Sequence, residues 1–336
     1  MQFSSLGDLA QNLITRRQSA SLSSEMNRVS QELTTGLKAD LGDALGGDFS
    51  VLASVQRSLS IQDAFAETRN MLAPRLEAMQ NALTSVGEPS TEFGLQVLSN
   101  LNSENEVDLA FSLSTTEAQM DRVVGLMNTT VAGRSLFSGT ATDQPSLAST
   151  ETILDELRTA TAGAVDGADF VTIVDDWFSA PGGGFETLAY AGADAPAVGV
   201  SISTSVSLTQ NVTAQDDAIR AVLKNWSMLT LAGEGSTPGG VDDRDLVIQS
   251  GANGLINSAS SVIDLQGRLG AQQEAVERAS VESAAEQFGL EQTYNALTTA
   301  DTFEAASRLE EVQTQLEMLY IITARTSQLN LATYLR

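Results

Sequence analysis

The side chains of this chain best able to do chemistry are carboxylates, because it contains neither histidine nor cysteine. Lacking His, it has no imidazole base, loses the commonest metal ligand and cannot build a Ser-His-Asp triad. Lacking Cys, it has no thiolate nucleophile, thiolate zinc site or disulfide. Asp242, Asp243 and Asp245 beside Gly239-Gly240 could face Ca²⁺. The calcium loop of twelve residues ending in Glu is missing, however, and acids at a helix start are already favoured by the dipole. Asp175-Asp176 and Asp216-Asp217 read as solvated faces or caps. Gly182–Gly184 has no Lys-Ser/Thr after it and is not a phosphate loop. Asn128, Asn211 and Asn225 each open a glycosylation sequon, but two of the three fall in expected helices. No catalytic, cofactor or metal site emerges, so the expectation is a protein that works by packing and is not an enzyme.

Composition narrows the partners. With 43 acidic and 18 basic residues in 336, the net charge is −25, and only Lys38 and Lys224 are lysines. Such a surface repels nucleic acid and anionic lipid. Arg16-Arg17 with Arg28 is too sparse to make a nucleic-acid patch. No apolar run approaches the roughly 18 residues that span a bilayer, and Met1–Ser5 lacks the basic and apolar regions of a Sec signal. Export, if it occurs, would need another machine.

The elements are mostly helical. An apolar stripe through Leu9, Leu13, Leu22, Met26, Val29 and Leu33 predicts a helix that stops near Gly36. Gly42, Gly46 and Gly47 mark a loop. A long helix follows from Val51, with a kink or break at Pro74 and an end at Gly87–Ser90. Shorter helices are expected near 91–101 and from Glu104, and another from the capping-box pattern Ser114–Glu117. Arg134–Gly139 reads as a turn with an extended piece. Residues 146–240 hold three of the six prolines, both tryptophans and several short apolar runs. Helices are expected there at 150–162 and 168–178, with a β-hairpin from 185–190 and 198–203 and a helix from Asp216-Asp217. Residues 242–299 carry an interrupted helical stripe.

A last helix is announced by Asp301-Thr302-Phe303-Glu304, a capping box. Its heptad seam runs through Ala305, Leu309, Val312, Leu316 and Leu319 to Leu329, Leu331 and Leu335. Two striped helices at the ends bury their stripes either on each other within one chain or on neighbouring copies; assembly is the preferred reading. The fold class is therefore mainly α, α+β overall, an elongated rod of paired terminal helices with a small inserted domain. Its expected parts are residues 1–40 with 300–336 as assembly core, 41–145 with 241–299 as helical rod, and 146–240 as variable insert.

Some of these segments are familiar. Leu33-Thr34-Thr35-Gly36 resembles the Leu-Ser/Ala-Ser/Thr-Gly signature of the bacterial flagellin superfamily. Asn128 with Gly133-Arg134-Ser135-Leu136-Phe137-Ser138-Gly139-Thr140 is similar to that family's Gly-Arg turn, and Ile321–Leu335 is similar to endings in its hook-associated branch. The resemblance covers about residues 1–145 and 242–336; the Asp-Asp-Pro-Ala motif common after the first glycine is absent here. It implies a structural subunit joining hook to filament, located outside the cell in the flagellum and needing no cofactor. Its implied partners are other copies in a ring of about eleven, a neighbouring hook-associated protein, flagellin and an export chaperone. A filament flagellin is the alternative of the same class; a secreted carboxylate-dependent enzyme is the alternative from another.

Overall fold

A computed structural model describes residues 3–103, 105–193 and 199–334, with side chains for all of these except residues 3–9, 327 and 329–334. The chain packs as two units, residues 1–62 with 284–336 and residues 63–283. Among the described residues, no helix is long and apolar enough to cross a membrane.

The first unit holds α1 (Phe3–Thr35), the short α2 (Leu41–Ala44), the beginning of α3 (Ser50–Asn102), the end of α9 (Val241–Thr298) and α10 (Thr302–Tyr334). Its buried apolar side chains among the described residues are few: Val29, Leu52, Val55, Ala305, Val312 and Leu316, with Gln62 donating to Glu286 at 2.6 Å.

The second unit holds the rest of α3 and α9 with α4 (Glu106–Ser114), α5 (Thr116–Met127), α6 (Thr150–Thr161), α7 (Gly167–Ser179) and α8 (Asp217–Gly233). One core runs through it, from Leu76 and Met79 to Leu265 and Leu269. At its centre lies α8, where every residue from Asn225 to Ala232 is buried, as a helix enclosed on all sides requires. Trp226 lies tilted against Phe93 with ring centroids 4.7 Å apart, and its Nε1 donates to Ser90 Oγ at 3.0 Å. Residues 146–240 thus share one core with the long helices.

Among the described residues, strand is confined to two small hairpins. Antiparallel β1 (Thr130–Val131) and β2 (Arg134–Ser135) are joined by Ala132 and Gly133, both at positive φ (52° and 74°), the two-residue turn that suits a twisted hairpin. Asn128 secures it by donating to Leu147 O (3.0 Å) and accepting from Leu147 N (2.8 Å). The second hairpin pairs β3 (Val200–Ser201) with β4 (Ser207–Leu208).

Several sequence expectations are corrected. Helix α3 does not stop at Gly87–Ser90 but runs through Pro74 and Pro89 to Asn102, and the separate helix expected near 91–101 is part of it. Pro89 removes one backbone donor, but Ser90 Oγ donates to Val86 O (2.6 Å) and Thr91 Oγ1 to Gly87 O (3.0 Å), while Val86, Ser90 and Val97 are buried. Residues 185–190 do not form a strand. Phe185–Ala189 is a π-helical turn, with Phe185 and Ala189 buried one turn apart, and Trp177 lies against Gly184 where a Cβ would meet its Nε1 at 1.9 Å. The capping box expected at 114–117 does not form: Thr115 Oγ1 donates backwards to Ser112 O (2.8 Å), and α5 begins without a side-chain cap. Helix α9 is uninterrupted despite its glycines; Gly251 and Gly254 make room for Leu229 and Asn225 of α8.

Candidate self-assembly surface

The pairing of α1 with α10 starts from the local rules that end one helix and begin the other. Gly36 ends α1 in the left-handed conformation (φ 70°), which costs a side-chain-bearing residue more than glycine. Asp301 Oδ1 begins α10 by accepting from Phe303 N (2.9 Å) and Glu304 N (3.1 Å). Between them the backbones clasp: Lys38 N donates to Thr298 O (2.8 Å), Ala300 N to Gly36 O (3.0 Å) and Lys38 Nζ to Leu297 O (3.0 Å). Helices α1 and α10 therefore leave one junction side by side and antiparallel.

A charged girdle fixes the register. Arg308 Nε donates to Glu25 Oε1 at 2.9 Å across the pair, and Arg28 holds the same carboxylate at 2.7 Å. The Arg28 hydrogen bond and charge, with Arg308 adding to them, hold the Glu25 carboxyl below the usual carboxylate range against the opposing effect of burial; the same pairing raises Arg28. Beneath this girdle Val29, Ala305, Val312 and Leu316 are buried.

Of the expected packing residues, Val29, Val312 and Leu316 are buried in the pair, and Leu22, Met26, Leu309 and Leu319 are half-buried. Leu33 lies at the exposed edge and Leu13 is more than half exposed. Leu9, Leu329, Leu331 and Leu335 lie outside the residues whose side chains are described. The stripe reading missed a second set. Ile14 on α1 and Met318, Tyr320, Ile321 and Ile322 on α10 are also more than half exposed. The register set by Glu25 and Arg308 brings the Leu13-Ile14 stretch opposite 318–322, so one end of the pair carries large exposed apolar side chains on both helices. The signal was in the sequence as the run Leu319-Tyr320-Ile321-Ile322, too apolar for the outside of a two-helix seam.

The carboxylate candidates have structural duties. Asp243 accepts from Gly167 N (2.9 Å) and Gly240 N (3.1 Å), bonds that lower its pKa. Asp175 pairs with Lys224, and Asp216 accepts from Thr213 N (2.8 Å) and pairs with Arg268 (2.5 Å). Among the described residues no group of three or more Asp or Glu could hold a metal ion. The sequon residue Asn225 is buried.

Residues 8–142 match the model of the bacterial flagellin N-terminal helical region. Comparison with curated proteins gives no match. Among solved structures, a Vibrio parahaemolyticus protein described as a flagellar hook-associated protein superposes with TM-score 0.53 at 15% identity, covering 73% of this chain and 95% of its own. Bacillus cereus FlgL superposes with TM-score 0.52 at 14% identity, covering 72% of this chain and 100% of its own. At such identities the likeness is one of fold. Residues 8–142 of this chain are thus similar to a bacterial flagellin N-terminal helical region, and the chain shares its fold with these two solved proteins.

Proposed function

We propose that this chain is a structural subunit of the bacterial flagellum that joins hook to filament, acting by packing and not by catalysis. One observation carries the reading: the terminal helix pair buries its stripe near the Gly36 junction and exposes large apolar side chains on both helices further along, from Leu13-Ile14 to Met318–Ile322. Apolar faces of this kind acquire partners when copies stack. The hook-associated description of the Vibrio parahaemolyticus neighbour supports the junction role over the filament role. In this reading copies form a ring of about eleven between a second hook-associated protein and flagellin. A chaperone covers the terminal segment before export, and the protein works outside the cell. Leu9, Leu329, Leu331 and Leu335 extend the packing surface.

The test is electron microscopy of a deletion strain with its medium assayed for flagellin. Bare hooks with free flagellin in the medium are expected. Short or missing filaments with little free subunit would make the chain a filament protein, and normal flagella would overturn the reading.

A further inference from the structure

In a chain of net charge −25, one pocket of the second unit is lined by cations and by no carboxylate among the described residues. It has a volume of about 280 Å³ and lies where α3, the β1–β2 hairpin, the β3–β4 hairpin and α9 meet; its polar lining is Arg75, Arg134, Thr140, Thr142, Gln210 and Gln272. The amides are engaged elsewhere: Gln210 Nε2 donates to Leu136 O (2.9 Å), and Gln272 Nε2 to Thr209 O (3.4 Å) and Asn211 Oδ1 (3.3 Å). Arg134 Nε is held by Thr142 Oγ1 at 3.1 Å, which aims the planar group and leaves its terminal nitrogens free to donate. Arg75 Nε is buried and has no hydrogen-bond partner among the described residues.

The placement of these two arginines differs from that of the ion-paired ones. Arg28, Arg158, Arg220, Arg268 and Arg308 each hold a carboxylate, whereas neither Arg75 nor Arg134 takes part in an ion pair among the described residues. Arg69, more deeply buried, donates from its guanidinium to Ile202 O at 2.7 Å. A buried donor without a partner and two like charges on one pocket are each unfavourable. Burial first, and the charge of Arg134 second, lower the Arg75 pKa. Both penalties vanish if an anion sits between the two guanidiniums, whose forked donors match the two oxygens of a carboxylate or sulfate.

We propose that the Arg75–Arg134 pocket is an oxyanion-binding site that clamps a carboxylate or sulfate-like group. Its occupant is a free anion or an acidic side chain of a second copy, and the two sources separate experimentally. Sodium sulfate is titrated into the full chain against sodium chloride of equal ionic strength, following the melting temperature and the Arg Nε–Hε resonances. A saturable rise of about 2–4 °C with a shift of the Arg75 resonance is expected, both lost in R134Q, whose parent side chain is exposed and whose fold is therefore retained. An equal rise in R134Q, the general salting effect of sulfate, would overturn the site. So would no sulfate-specific response in the unmodified chain. In the second arm, which rests on the proposed flagellar role, R134Q is assembled onto isolated hooks. Loss of assembly assigns the occupant to a neighbouring copy, and retained assembly beside a sulfate response assigns it to a free anion.

Discussion

Replacing Ile14 and Ile322 together by Gln should weaken assembly without weakening the folded chain. The two side chains are 54% and 58% exposed, so each keeps a little over half of its apolar surface available for a neighbour. Complete burial of an Ile side chain stabilises by about 1.5–3 kcal/mol, so the uncovered share corresponds to about 0.8–1.7 kcal/mol each and roughly 1.7–3.4 kcal/mol for the pair. At about 1.4 kcal/mol per tenfold, the concentration needed for half-maximal assembly onto isolated hooks should rise roughly 20- to 300-fold. Gln is as good a helix former as Ile and both sites are exposed, so the urea midpoint should move by no more than a surface substitution does, about 0.5 kcal/mol each. Sedimentation with hooks gives the first quantity and circular dichroism in urea the second. Wild-type assembly by the double variant, at an unchanged midpoint, would show that this surface does not carry the association.

Three further outcomes test the packing. Trp226→Phe loses the Ser90 hydrogen bond and part of the central ring, and should cost about 1–3 kcal/mol in urea. Gly94→Ala puts a Cβ 2.7 Å from Ala252 O and 3.1 Å from Ile256 Cγ1, so it should destabilise by about 1–3 kcal/mol; an unchanged midpoint would mean that α3 and α9 can move apart freely. Glu25 has a lowered pKa in the folded state, so its contribution is present above the unfolded carboxylate pKa and is lost as pH falls through the lower folded value. The urea midpoint of the wild type should therefore fall more steeply than that of Glu25→Gln as pH drops from about 5 to 3. The difference should be small for so accessible a pair.

What the sequence made legible was local chemistry. Gly36 and Asp301 mark helix ends through effects confined to one turn, and both ends stand where those residues predict. The stripe through Val29, Val312 and Leu316 was readable because a two-helix seam depends only on spacing. The errors lie where distant residues decide. Pro89 signals a helix end, yet Ser90 sits beneath Trp226, 136 positions away, and burial there outweighs one missing hydrogen bond. Phe185 and Leu188 resembled a short strand, but Phe185 and Ala189 have helical spacing and Trp177 had already filled the space beside Gly184. Neither Arg75 nor Arg134 stood out in the sequence as a binding residue, because only the fold brings α3 and the β2 end of a hairpin to one pocket.

The clasp between residues 36–38 and 297–300 has a kinetic consequence. Its bond from Lys38 Nζ to Leu297 O closes a loop of 259 positions, and a contact that distant in sequence forms late, after the entropy of ordering the intervening chain has been met. Until then α1 has no α10 to lie against. A chain emitted from a narrow exit in either direction would complete its second unit while the first-emitted terminal helix still waited for the other. The terminal pair would then be the final piece to close, at the place and moment where a neighbouring copy can be recruited before the apolar ends meet water.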